Sequence, residues 1–325
     1  MTHPVCRILI LGTGGVGGYI GGLLAYHSSG AHAEVIFFSR GENLNAIKSN
    51  GLNIMTDHGD VTAYPTLITN DVTAVGRIDL LLCCMKGYDL EDSLKPLIPH
   101  ISKETIVIPF LNGINARERI KKILPHGKIW EGCIYVVSRL IAPGVIKQSG
   151  SLNQIFFGSD TDSIEKLKYV ENIFSRSYLK AGYSDTMTVK LWEKFYFISA
   201  MATVTSYFNS PIGEIQSDPA KSHFIMDLLL ELEKVTSISK IELPSGLVER
   251  SYARIMTLNP ETTSSMLEDF RKGGKTEIEE ITGYVVHKSR EMNIATPVYN
   301  MMYRNLCYSV FKPETTKTRI IKYIP

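Results

Sequence analysis

The chain has 325 residues, 44% of them hydrophobic and 21% charged, with a formal net charge of +2. These proportions suit a globular enzyme of two domains, and the near-neutral balance with scattered basic residues argues against nucleic acid or an anionic membrane as a partner. Five cysteines at irregular spacing, Cys6, Cys83, Cys84, Cys133 and Cys307, include no Cys-x-x-Cys pair. They argue against a disulfide framework and a zinc site, and point to a reducing cytoplasm.

A strand-like run, Val5 to Leu11, leads straight into glycines, so no signal peptide is expected at the start. Further short runs rich in Ile, Val, Leu and Phe lie near 34–38, 78–85 and 105–111, and read as fully buried parallel strands. Helical patterns at Gly15 to Tyr26 and Glu42 to Asn50 fall between them, and such alternation predicts a doubly wound α/β sheet. After Gly127 the pattern changes. Gly144 to Gly150 and Asn153 to Gly158 read as a hairpin with Ser151-Leu152 as its turn.

From about Thr188 onward nearly everything reads as helix, near 189–208, 219–240, 245–257, 276–292 and 297–311. Pro211-Ile212-Gly213, Pro244, Pro260 and Gly273-Gly274 punctuate these patterns. The charge-free run Phe195 to Gly213 carries Ser199, Thr203, Thr205, Ser206, Asn209 and Pro211, so it fits a buried helix better than a membrane span. The domain boundary is expected near Tyr183 to Thr188, with an α/β domain over 1–185 and an all-helical domain over 186–325. The stretch Lys312 to Lys322 is mildly basic, but too short and mixed to imply a partner.

The first strand ends in Gly12-Thr13-Gly14-Gly15-Val16-Gly17, a Gly-x-Gly-x-x-Gly pattern. Gly12 permits a tight turn, Gly14 lets backbone approach a pyrophosphate, and Gly17 lets helix and strand pack closely. By itself the motif is weak, because glycines crowd the whole of Gly12 to Gly22. The apolar strand before it and the apolar helix after it supply the context that favours a dinucleotide. The second strand ends in Ser39-Arg40, where an NAD enzyme usually carries Asp or Glu for the ribose 2′-hydroxyl. A guanidinium there suits a 2′-phosphate, so NADP(H) is the expected cofactor; the plain alternative is a solvated surface arginine.

Ligands of open α/β sheets bind beyond the carboxyl ends of the strands. Lys86 and Asn112 sit at two such ends and are expected to face the nicotinamide and the substrate. Lys86 also reads as a solvated strand end and Asn112 as a turn-forming Asn-Gly, the stronger reading for Asn112 alone. Lys194 is the last charge before the charge-free helix. Loss of hydration there would lower its pKa and let it donate a proton near neutral pH. A lysine snorkelling at a helix border is the commoner use of such a position. Thr276 or a neighbour is expected to cap the helix that follows, whose stripe is Ile278, Ile281, Val285 and Met292. Glu277 would border its buried face, either serving the helix dipole or engaging substrate or Lys194. Ser265 is either a substrate-carboxylate contact or a helix cap.

Together with Arg40-Gly41, Lys86, Asn112-Gly113, Trp192-Glu193-Lys194, Ser264-Ser265-Met266, Asp269, Lys275-Thr276-Glu277-Ile278 and Gly283-Tyr284-Val285-Val286, the glycine motif resembles the ketopantoate reductase family over nearly the whole chain. The resemblance implies a Rossmann-type NADP-binding domain and a helical catalytic domain that close on a small 2-oxo acid. It implies Lys194 as general acid, Glu277 on the substrate hydroxyl, Ser265 and Asn112 on the substrate, and Lys86 along the cofactor and substrate. It implies Arg40 on the 2′-phosphate, with Gly12, Thr13, Gly14, Gly15, Val16 and Gly17 around the pyrophosphate. One departure stands out. Family members usually carry asparagines one and two helical turns after the lysine, and this chain has Ile198 and Ala202. That weakens ketopantoate itself as substrate and opens a more apolar 2-oxo acid. A different two-domain dehydrogenase is disfavoured by Arg40 and by Thr276-Glu277-Ile278. A non-catalytic NADP-binding sensor stays open, as does the oligomeric state, with a homodimer as one option.

Overall fold

The computed structural model describes residues 5–28, 33–57 and 59–311. Strand β1 (Cys6–Leu11) is followed by α1 (Gly15–Ser28), β2 (Ala33–Phe38), α2 (Gly41–Asn50) and three short strands, β3 (Leu52–Met55), β4 (Val61–Ala63) and β5 (Leu67–Thr69). Then come β6 (Leu80–Cys83), α3 (Leu90–Leu94), β7 (Ile106–Pro109), α4 (Ala116–Ile123) and β8 (Lys128–Ile129). Six of these strands form one all-parallel sheet in the order β5-β2-β1-β6-β7-β8. The chain winds outward from β1 to one edge and then crosses β1 to build the other, which creates a switch point between β1 and β6.

Burial on both faces explains why the strands read as continuous apolar runs. On β1, Ile8 and Ile10 join one core cluster while Leu9 and Leu11 join another. On β6, Leu80 and Leu82 divide from Leu81 and Cys83 in the same way.

A second sheet contains β9 (Glu131–Ala142), β10 (Val145–Gly158) and, after α5 (Ile164–Arg176), β11 (Lys180–Tyr183), together with β3 and β4. Helix α1 is packed between the two sheets, which accounts for its glycines. A Cβ on Gly21 would meet Ile10 and Phe37 of the first sheet, and one on Gly22 would meet Ile54 of the second.

The expected hairpin at 144–158 is corrected here. Residues 145–158 are one strand, and its antiparallel partner is β9. The turn is Pro143-Gly144, with Gly144 at φ 74°, the conformation a Pro-Gly type II turn requires. Gly150 also has φ 74°, but it marks an irregularity within β10, where the register shifts between Gln148 and Asn153. There the Gln148 amide donates to the carbonyls of Ser149 (3.1 Å) and Gly150 (2.6 Å), and the chain continues as strand where its composition suggested a turn.

The remainder is helical: α6 (Met187–Phe208), α7 (Ile212–Gln216), α8 (Pro219–Ile238), α9 (Leu247–Met256), α10 (Ser265–Arg271), α11 (Tyr284–Glu291) and α12 (Pro297–Phe311). The break between the two compact units falls between Met187 and Thr188, and the short segment Asn112–Ile114 groups with the helical unit. Helix α6 supplies Phe195, Tyr196, Ala200, Met201 and Val204 to the helical core. Three of its buried hydroxyls pair with others, Ser199 with Tyr299 (2.9 Å), Thr203 with Thr282 (2.8 Å) and Thr205 with Ser264 (2.8 Å), while Ser206 Oγ has no hydrogen-bond partner among the described residues. Such pairing is how the charge-free part of α6, from Phe195 onward, buries polar side chains in protein.

Glu231 closes the N-terminus of α12 by accepting from the Val298 and Tyr299 N–H groups (2.8 and 3.0 Å), and burial pushes its carboxyl pKa up. Among the described residues no helix is long and apolar enough to cross a membrane, and no cluster of side chains could hold a metal ion. The basic stretch Lys312 to Lys322 lies outside the described residues.

Candidate active site

The glycine turn lies in the α/β unit. Gly12 follows β1 at φ 95°, and its N–H donates to the Phe38 carbonyl (3.2 Å). A Cβ there would come within 2.8 Å of the Met85 backbone. Gly17 is tighter still, because a Cβ would lie 1.9 Å from the Gly12 carbonyl oxygen. Gly14 is the opposite case, with nothing within 4 Å of its Cβ position. Two glycines are thus fixed by the fold, and the third leaves open space beside bare backbone just before α1 begins. That combination fits a pyrophosphate approaching a helix N-terminus.

The turn is held through Thr13 by Ser39 and by Asn43, and sequence reasoning does not single out Asn43. Thr13 is buried, with its hydroxyl 2.6 Å from Ser39 Oγ. Asn43 Nδ2 donates to Thr13 Oγ1 (2.8 Å) and to its carbonyl (3.0 Å), while Asn43 Oδ1 accepts from the Gly144 N–H (2.8 Å). An asparagine in the first turn of a polar helix gives no sign of this in the sequence; only the fold brings it to the glycine turn.

Arg40 stands at the N-cap of α2, just beyond β2, and its side chain is 76% exposed. Its guanidinium donates to Asp89 Oδ2 at 2.5 Å. Lys86 follows β6, half-buried, and opens the short 3₁₀ turn Gly87–Asp89.

The helical unit carries the rest. Asn112 Nδ2 donates to Glu277 Oε2 (3.2 Å), which joins two residues 165 positions apart. Gly113, at φ 91°, lies so close that a Cβ would come 3.0 Å from the Glu280 carbonyl oxygen. Ile114 packs onto the helical core. The Asn-Gly is therefore a turn as well as a contact.

The helix expected over 276–292 starts differently. Glu277 precedes the helix and is buried, at 2% exposure, with its carbonyl accepting from the Ile281 N–H (3.1 Å). A π-helical segment follows (Glu279–Gly283), in which the Gly283 N–H reaches the Ile278 carbonyl (2.8 Å), and only then does α11 begin. Thr276 makes no side-chain cap, and no side chain caps the π segment. Glu277 thus lies buried just ahead of the π segment and off the regular helix α11. Single π-turns inside helices recur at functional sites.

Ser264, not Ser265, caps α10: its Oγ accepts from the Leu267 N–H (3.1 Å). Ser265 is left exposed as the first residue of the helix. Lys194 is half-buried on α6, between the core residues Trp192 and Phe195 in sequence. Ile198 and Ala202 follow it one and two turns along the same face. Ala202 is buried in a small apolar cluster with Met266, Ile278, Ile281 and Leu306. That cluster ties this face of α6 to the neighbours in sequence of Ser265 and Glu277.

A parallel sheet with its glycine turn at the switch point, in a chain whose helical unit carries a lysine and a buried carboxylate, has the parts of a nicotinamide-dependent oxidoreductase. The chain belongs to the ketopantoate reductase family: the model of "Ketopantoate reductase PanE/ApbA" matches residues 8–161, and that of its C-terminal part matches residues 186–307. It is 29% identical over 301 residues to the "Uncharacterized oxidoreductase YkpB" of Bacillus subtilis, covering 92% of this chain and 97% of that protein. It is similar to the crystal structure of 2-dehydropantoate 2-reductase from Porphyromonas gingivalis W83, at 29% identity and a TM-score of 0.81, covering 93% of this chain and 99% of the other. It is also similar to the structure of D-mandelate dehydrogenase with NADH, at 25% identity and a TM-score of 0.80, covering 94% and 99%.

Proposed function

We propose that the protein reduces the keto group of a 2-oxo acid with NADPH, and that ketopantoate, reduced to pantoate for pantothenate synthesis, is the first substrate to consider. The observation that carries this reading is the Asn112–Glu277 hydrogen bond, because it brings together two residues assigned to substrate on sequence alone. Gly12 to Gly17 would hold the pyrophosphate and Arg40 the 2′-phosphate. When bound, the reduced nicotinamide supplies the hydride. Arrival of hydride at C2 leaves negative charge on the carbonyl oxygen, and Lys194 gives that oxygen a proton. Asn112 fixes one oxygen of Glu277, leaving the carboxylate oriented to accept from the substrate hydroxyl. Ser265 and Lys86 offer a hydroxyl and a cation to the substrate carboxylate. Positioning and fixed charge would supply most of the rate. None of the five cysteines forms a disulfide among the described residues.

The surroundings of Ala202 favour a second reading of the substrate. Where the family usually offers an amide, this chain offers a methyl group among Met266, Ile278, Ile281 and Leu306. A pocket without that amide cannot reward a substrate hydroxyl, and an apolar 2-oxo acid loses nothing there. The name of the D-mandelate dehydrogenase relative gives this reading further support.

The test is NADPH consumption by the purified protein with ketopantoate beside a panel of branched and aromatic 2-oxo acids. The highest kcat/KM on ketopantoate would mean that Ile198 and Ala202 are tolerated. The highest value on an apolar acid would mean that they have re-specified the pocket. No turnover on any of them, with NADPH still bound, would overturn the enzyme reading in favour of a sensor.

A further inference from the structure

Asp89 has no role in the reaction described above, yet it reaches the residue that decides which nucleotide is taken. It closes the 3₁₀ turn after β6 and stands at the N-cap position of α3, where aspartate ordinarily bonds the first free N–H groups of the helix. Its side chain makes no such bond. The carboxylate turns instead to Arg40, with Oδ2 2.5 Å from Nη2, and remains only 21% exposed while the guanidinium is 76% exposed. The two residues lie 49 positions apart and are brought together because β1 sits between β2 and β6 in the sheet. A cation after β2 suits a 2′-phosphate, and a carboxylate suits a ribose 2′-hydroxyl. This chain places one of each in mutual contact.

We propose that Asp89 is the second determinant of nucleotide choice, acting against Arg40 so that the protein takes both NADPH and NADH with only a modest preference for the phosphorylated form. This rests on the reading of Arg40 as the 2′-phosphate contact. An exposed ion pair is weak, so a phosphate displaces the carboxylate from the guanidinium. The displaced carboxylate stays close to the phosphate and opposes it by like charge. With NADH no phosphate is present, and the same carboxylate accepts from the 2′-hydroxyl. The Arg40–Asp89 contact also keeps the arginine folded against the turn between nucleotides.

The experiment is direct titration of NADPH and of NADH into the full-length protein without any keto acid, for wild type, Asp89→Asn and Arg40→Ala. Asp89→Asn keeps the shape and removes the charge. It is expected to tighten NADPH and weaken NADH, each by about threefold to tenfold, the range that an exposed charge contact commands. Arg40→Ala is expected to weaken NADPH by about tenfold or more and to leave NADH within about threefold. Opposite movement of the two nucleotides in Asp89→Asn is the signature, since damage to the turn would weaken both. Equal shifts in both, or no shift in either, would overturn the role of Asp89. If Arg40→Ala leaves NADPH affinity unchanged, the reading of Arg40 fails and this proposal with it. If only Asp89→Asn is silent, the Arg40 reading stands alone.

Discussion

The glycine turn and the Glu277 region meet their functional demands by opposite means. The turn is largely local: Gly12 to Gly17, from the end of β1 into the first residues of α1, carry it, and the demands on Gly12 and Gly17 can be named from backbone contacts within the α/β unit, with Ser39 and Asn43 bracing Thr13. The Glu277 region is assembled from Asn112 after β7, the α6 face of Lys194 and Ala202, Ser264 at α10 and the π segment before α11. A local site tolerates changes elsewhere and fails abruptly when its own backbone is crowded. An assembled site depends on side chains held by other side chains, and it loses chemistry while keeping its fold.

The largest effect expected of that contrast is at Lys194. Replacing it with alanine should lower kcat by about 10²–10⁴-fold, the usual contribution of a general acid. Nucleotide affinity and melting temperature should hold, because Lys194 is half-buried at the border of the core. Single-turnover kinetics beside NADPH titration would check this, and near-normal turnover would remove the lysine from the chemistry.

Next in size is a pair of glycine substitutions. Gly17→Ala forces a Cβ toward the Gly12 carbonyl, 1.9 Å away, and should destabilise the protein by about 1–3 kcal/mol in urea unfolding while weakening nucleotide binding. Gly14→Ala meets nothing in the protein. It should leave unfolding unchanged and still weaken the nucleotide, whose pyrophosphate would meet the new methyl group. Equal stabilities for the two variants would contradict the division between glycines that serve the fold and the one that serves the ligand.

The smallest effect concerns acid. Hydrogen bonds from Lys128 and Lys166 hold the Glu104 carboxyl down to about 2, from an ordinary value of 4.5. A carboxyl whose pKa is depressed in the fold adds stability that is complete above its unfolded value and disappears as pH falls through the folded one. Melting temperature should therefore decline between about pH 4.5 and pH 2, and Glu104→Gln should flatten part of that decline. Because the Glu104 side chain is 76% exposed, the shift should be small. The α/β unit, which carries this cluster, should respond more than the helical unit, and hydrogen exchange resolved by segment would show it.

Several elements were legible because they obey one period or one composition rule. The buried parallel strands β1, β2, β6 and β7 announce themselves as short runs of branched residues, and α6, α8, α9 and α12 by long apolar patterns between breakers. The hairpin was misplaced because Gly150 looks like a turn residue. A glycine at positive φ serves a bulge as well as a turn, and only the partner strand β9 decides which. The helix entry near 279 was misread because a π-turn leaves the spacing of apolar residues almost unchanged, although the regular helix begins only at Tyr284.

By itself the sequence determined the glycine turn, the cation after β2 and the order of an α/β half followed by a helical half, because strand period, helix period and glycine stereochemistry are local properties. Only the tertiary structure decided that Asn43 braces the turn, that Asp89 answers Arg40, that Ser264 rather than Ser265 caps α10, and that Asn112 meets Glu277. Apart from the Ser264 cap, which reaches only to Leu267, those contacts join residues 30 to 165 positions apart, and hydrogen bonds and ion pairs form by distance in space, which no spacing along the chain encodes.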